Sequence, residues 1–284
     1  MVLESLINPF KAKKKPWEMF FIGFLFASVA ILLSNWVFKE QASLLMVFLT
    51  VLAAVPLLYS TMKMEEEEGA NIQADEKEIL IKHSKTIKFL MYMFFGFVVA
   101  FVFWYIALPA GTIKSLYHVQ TVTIQSINAR AISGFSVKLS SFGSIFFNNV
   151  KVLIFCILFS FLYGAGAIFI LTWNASVIAT AIGNFVRTNI SSYASAAGFQ
   201  KLGAYFHIIT IGLLKYSIHG IPEIIAYFVA GLAGGIISVA VIRENFGTKS
   251  FSKALVDSSD LIIIAFLLIL IAALLEVFIT PFIF

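Results

Sequence analysis

The sequence predicts an all-α, polytopic transmembrane helical bundle of six or seven spans. Three observations carry that expectation. Charged residues make up 12% of the chain, where a soluble domain has roughly 25%. Hydrophobic residues make up 60%, and mean hydropathy is +0.96. Apolar runs of about 20 residues, the length that crosses a bilayer, recur along the chain. So little polar surface cannot face water all round, which makes lipid the remaining solvent. The 31 phenylalanines agree, because phenylalanine partitions well into hydrocarbon.

Residues 17–38 form the first run, too long for a cleavable signal and without a small-residue cleavage site. Residues 42–62 form the second, after a hinge of Lys39, Glu40 and Gln41, so the two make a helical hairpin. Residues 63–88 are polar. Ile79, Leu80, Ile87 and Leu90 recur there at helical spacing, which predicts a surface helix leading into a third span over 89–108. Pro109 and Gly111 close that span. Residues 109–147 are less apolar, and Ile113, Leu116, Tyr117, Ile124, Ile127 and Ala131 fall on one stripe. This predicts an amphipathic helix lying at the interface, although the Thr/Val alternation near Thr121 also permits a strand.

A fourth span is predicted over 147–173. Residues 174–185 are too short to cross and read as re-entrant or buried in the bundle. A small, polar linker follows at 191–198. Residues 205–216 form a second short piece, interrupted by Lys215, then 221–242 and 261–282 form full spans. Seven passes result if 205–216 crosses, which leaves the C-terminus outside. The domain reading is a three-span region over 1–108, an external amphipathic segment over 109–147, and a membrane core over 148–284.

Charge sets the expected orientation. Lys11, Lys13, Lys14 and Lys15 precede the first span. Lys63, Lys77, Lys82, Lys85 and Lys88 lie between the second and third, and Arg243, Lys249 and Lys253 precede the last. Lysine and arginine flanking spans mark the cytoplasmic side. The expected location is therefore the cell membrane, with the N-terminus in the cytoplasm. The net charge of +5 belongs to these clusters and does not imply nucleic acid. Cys156 is the lone cysteine, which excludes a disulfide framework or a cysteine metal site. No nucleotide loop, HExxH, GxSxG or cysteine pair appears, so the reading is non-enzymatic, with no cofactor and no metal.

The residues that could carry chemistry begin with "HGIPEIIAYFVAGLAGG". Gly220 and Pro222 read as a helix break, and proline is favoured at a first helical position. Glu223 then sits in a first turn, where the helix dipole welcomes a carboxylate. A second reading joins the short 205–216 piece to the next span as a broken helix lining a cavity. His219 and Glu223 would then form a polar site that exchanges a proton or holds a cation. Asn148 and Asn149 open the predicted fourth span, one of them as its N-cap, and Asn174 closes it. Gly164 and Gly166 lie within it and allow close helix approach. Ala226, Ala230 and Gly234 repeat every four residues, as do Gly231 and Gly235. Two adjacent ridges of small residues mark a central helix packed on two sides, and they make self-association plausible.

An Asn-Asn pair entering a span, glycines within it, an asparagine at its end, and a His-Gly-x-x-Glu opening a small-residue helix together resemble the stage II sporulation protein M family. The resemblance runs over residues 142–242. The family commonly has Asn-Gly where this chain has Asn174 and Ala175. The resemblance implies an integral membrane protein, and its sporulation member is a scaffold in a wall-degrading complex. Relatives occur where no spores form, so wall degradation is not carried over. Family polar positions map to Asn148, Asn149, Asn174, His219 and Glu223. The expectation is a membrane scaffold or assembly factor with protein partners; the alternative is a small ion or solute transporter built on the polar set.

Overall fold

The computed structural model describes residues 15–69, 76–128, 135–163, 167–190, 198–243 and 248–283. Among these the regular structure is helical, and no strand occurs. The helices are α1 (Glu18–Val37), α2 (Ala42–Gly69), α3 (Glu76–Ala107), α4 (Ala110–Leu116), α5 (His118–Asn128), α6 (Phe135–Tyr163), α7 (Ala167–Ile190), α8 (Gly198–Arg243) and α9 (Lys249–Leu274). A π-helical turn (Leu275–Ile279) and a short α10 (Thr280–Ile283) finish the chain. Six of the described helices are long and apolar enough to cross a membrane, and the apolar stretch Ala42–Leu57 is shorter.

The packing follows from where small and large residues fall. α1 lies against α3 through glycines on both sides. A side-chain carbon on Gly23 would run into the Met93 carbonyl, and one on Gly96 into the Phe20 carbonyl. Backbones can approach this closely only where side chains are absent, and van der Waals contact is the main force between helices in lipid. α7 joins the N-terminal helices to the rest: it packs on α3 and also on α8. α8 is the hub of the C-terminal half and contacts α9, α6 and α7.

The polar connections are tied down. Gln120 is fully buried. Its carboxamide accepts from the Ser43 hydroxyl (2.7 Å) and donates to the Ser43 carbonyl and Ser176 Oγ (3.2 Å each), joining α5, α2 and α7. Tyr117 donates to the Phe101 carbonyl at 2.8 Å. Arg187 on α7 donates to the carbonyls of Tyr105 and Leu108, 3.2 Å each. The Tyr105 carbonyl would ordinarily take the N–H four residues on, but that residue is Pro109, which has none. The guanidinium stands in for it.

Three sequence expectations change here. The surface helix and third span do form one helix, α3, but the fourth span is not 147–173. Helix α6 begins at Phe135, and residues 164–166, which include Gly164 and Gly166, lie outside the described residues. Residues 174–185 are not re-entrant: they are the middle of α7, a 24-residue helix. The apolar signal did not mark the boundary because hydropathy stays high through the end of α6 and the start of α7. The segment 109–128 is helical, as α4 and α5, and not a strand.

The third change matters most. The break expected at Gly220 and Pro222 does not occur. α8 runs unbroken for 46 residues through Pro222. Proline removes one backbone donor, which leaves the Ile218 carbonyl without its usual partner. Membrane helices tolerate this where neighbouring helices support the segment, and α9, α6 and α7 surround this one. The pieces 205–216 and 221–242 are therefore one helix and not two, while α7 adds a span the sequence reading did not count, so the six candidate spans lie in α1, α3, α6, α7, α8 and α9.

Candidate functional site

The site grows from one face of α8. Tyr216, Gly220, Glu223, Tyr227, Ala230 and Gly234 follow one another at spacings of three and four, so they share a face. The last two are small and let α6 approach: a carbon on Gly234 would meet the Ile157 carbonyl. On the neighbouring ridge, a carbon on Gly231 would lie 3.0 Å from the Ala167 side chain and 3.4 Å from Ser160 Oγ. Ala226, Ala230 and Gly235 are buried as well. Tyr216, Glu223 and Tyr227 carry the polar groups. Gly220 is buried, yet a carbon there would meet nothing within 4 Å. The face therefore has room between Tyr216 and Glu223.

Glu223 is inside the helix and not in a first turn, so the dipole argument for it falls. Its partner is local: the Tyr227 hydroxyl, fully buried, donates to Glu223 Oε1 at 2.7 Å. Opposite stands the π-helical turn that follows α9. It carries Glu276, which lies within electrostatic range of Glu223, Tyr227 and Tyr216. Cys156 of α6 lies within the same range of Tyr227. Two carboxylates from helical segments that pack on each other thus lie within electrostatic range among apolar spans. Ionisable residues in such places are rare and mark functional sites.

Thr280 ties the two segments together. Its hydroxyl donates to the Leu275 carbonyl at 3.0 Å, five residues back, and also lies 3.3 Å from His219 Nδ1. With its one hydrogen on Leu275, Thr280 accepts from His219, which assigns the hydrogen to Nδ1 and leaves Nε2 as an acceptor. Tyr216 meets the histidine ring edge to face, 6.3 Å between centroids. A π turn inserts one extra residue into a helical turn and occurs often at functional sites.

The asparagines are placed elsewhere. Asn148 and Asn149 lie inside α6, a full three turns past its start, so neither caps it. Asn148 is exposed. Asn149 is buried, and its amide nitrogen has no partner among the described residues. Asn174 donates to the Ile170 carbonyl of its own helix at 2.9 Å, so no turn occurs there. Among the described residues no hydrogen bond joins these three to the α8 cluster. Glu276, Tyr227 and Thr280 are the members that sequence reasoning passed over. Glu276 had a signal: it is the single charge in the most apolar stretch of the chain.

A bundle of apolar spans with an acidic pair between two of them defines a multi-pass integral membrane protein. The family is identified directly as well. The model of stage II sporulation protein M matches residues 19–281, and the chain belongs to that family. The match reaches well beyond residues 142–242, where the motifs lie. No curated protein and no solved structure matches the chain.

Proposed function

We propose that this protein is a small ion- or solute-translocating membrane protein, and that the His219, Glu223, Tyr227 and Glu276 cluster is its binding site. The observation that carries the reading is that Glu223 on α8 and Glu276 on the π turn packed against it lie within electrostatic range of each other in membrane-spanning segments. An acidic pair with a tyrosine donor and a free histidine nitrogen suits a proton or a cation. The space beside Gly220, one turn from Glu223 on the same helix face, supports this, because a ligand needs room. The lysine clusters support a cell-membrane location with the N-terminus in the cytoplasm. The reading assigns no bond-making chemistry and treats the protein as non-enzymatic. The test is flux of protons, sodium and potassium into liposomes holding the purified chain, with Glu223→Gln alongside.

A second reading is favoured by family membership. In it the protein is a scaffold or assembly factor that holds protein partners, or a second copy of itself, in the membrane. The α8 cluster then serves folding or docking. Crosslinking and co-purification from native membranes separates the two. A stoichiometric partner that weakens in Glu223→Gln, with no flux in wild type, supports the scaffold. The ridge glycines Gly231 and Gly234 do not serve such a partner, because α6 and α7 already occupy them.

A further inference from the structure

A second polar feature lies away from the α8 cluster, at the mouth of the α1–α2 hairpin. There a groove of about 530 Å³ opens between the hairpin loop and α4 and α5. Lys39, Lys114 and His118 line it, with Glu40 as the one carboxylate. It has a fixed frame. Ser115 donates to the Lys39 carbonyl at 2.7 Å, and the Val119 N–H donates to Ser43 Oγ at 3.1 Å. Neither lysine is held in an ion pair among the described residues. Two free ammonium groups therefore outweigh one carboxylate.

What lies beside the groove decides its ligand. Trp36 is 78% exposed and Phe38 is exposed next to it, as aromatic residues are at the edge of a bilayer. Leu44 lines the groove, and Leu44, Phe48 and Leu52 are exposed at successive four-residue steps along α2. The groove thus continues into an apolar track that runs down the outside of a membrane hairpin. A soluble anion would have no use for that track.

We propose that this groove binds the headgroup phosphate of an anionic phospholipid, with one acyl chain lying along Leu44, Phe48 and Leu52. Lys39 and Lys114 supply the charge, and His118 supplies a donor. Each lysine near a membrane surface contributes about fivefold to the affinity for anionic lipid.

The test is native mass spectrometry of the full chain in nonionic detergent. Phosphatidylglycerol and phosphatidylcholine of identical acyl chains are titrated in turn. Wild type retains phosphatidylglycerol in preference. The double variant Lys39→Gln/Lys114→Gln loses about 25-fold of that preference, while Lys151→Gln on the exposed face of α6 leaves it unchanged. Equal retention of both lipids by wild type overturns the proposal. So does an equal loss in Lys151→Gln. Displacement of the lipid by millimolar inorganic phosphate assigns the groove to a free phosphate, and also overturns it.

Discussion

The Tyr227 hydroxyl donates to Glu223 Oε1 at 2.7 Å, one turn further along the same helix. The bond holds the carboxylate by one oxygen, Oε1. Tyr227→Phe removes the donor and keeps the ring. A hydrogen bond to an ionisable group is worth roughly 1.5–3 kcal/mol, more than a neutral one. The expected result is a lower melting temperature in detergent and weaker flux, measured on the same preparation. Unchanged values of both would show that the bond does nothing.

Gly234 and Gly220 share a face of α8 but face different surroundings. A carbon on Gly234 meets the Ile157 backbone carbonyl, which cannot swing aside; one on Gly220 meets nothing. Gly234→Ala is therefore expected to destabilise the protein by about 1–3 kcal/mol, the usual cost of overpacking. Gly220→Ala is expected to be neutral or stabilising by up to about 1 kcal/mol, because alanine is the better helix former. Thermal unfolding of the two variants checks the contrast. If Gly220→Ala also lowered flux without lowering stability, it would place that space in the conduction path.

Arg187 is a structural cation. It satisfies the Tyr105 carbonyl that Pro109 leaves open, and the Leu108 carbonyl beside it. Arg187→Met keeps most of the apolar stem and removes both donors. The expected cost is roughly 2–4 kcal/mol for two unpaired carbonyls. Replacing Pro109 with alanine in that background returns a backbone donor to Tyr105 and is expected to recover part of the loss. Denaturation of the three chains in one detergent measures it.

The membrane class was legible because hydropathy sums over 20 residues and no single residue decides it. The long helix α3 was legible for the same reason: Ile79, Leu80, Ile87 and Leu90 carry the helical period through a polar segment. Boundaries were not. Gly220 and Pro222 carry the local signature of a break, yet the helices packed around α8 keep it continuous. Asn148 and Asn149 look like caps because the polar residues before them hide the twelve residues of helix, 135–146, that precede the expected start at 147. In the site, His219 and Glu223 could be singled out from their motif. Glu276 and Thr280 join them only through the antiparallel pairing of α8 with the chain end, some 60 residues away. No local pattern encodes that pairing.

The most direct test of the central claim is cation and proton flux in liposomes for wild type and Glu223→Gln, with melting temperature recorded for both. Glutamine keeps the shape of the side chain, and its carbonyl oxygen still accepts from Tyr227, so the fold should survive. The account predicts flux in wild type and its loss in the variant, with melting temperatures close together. Undiminished flux through Glu223→Gln, or a wild type that passes none of these ions, would contradict it.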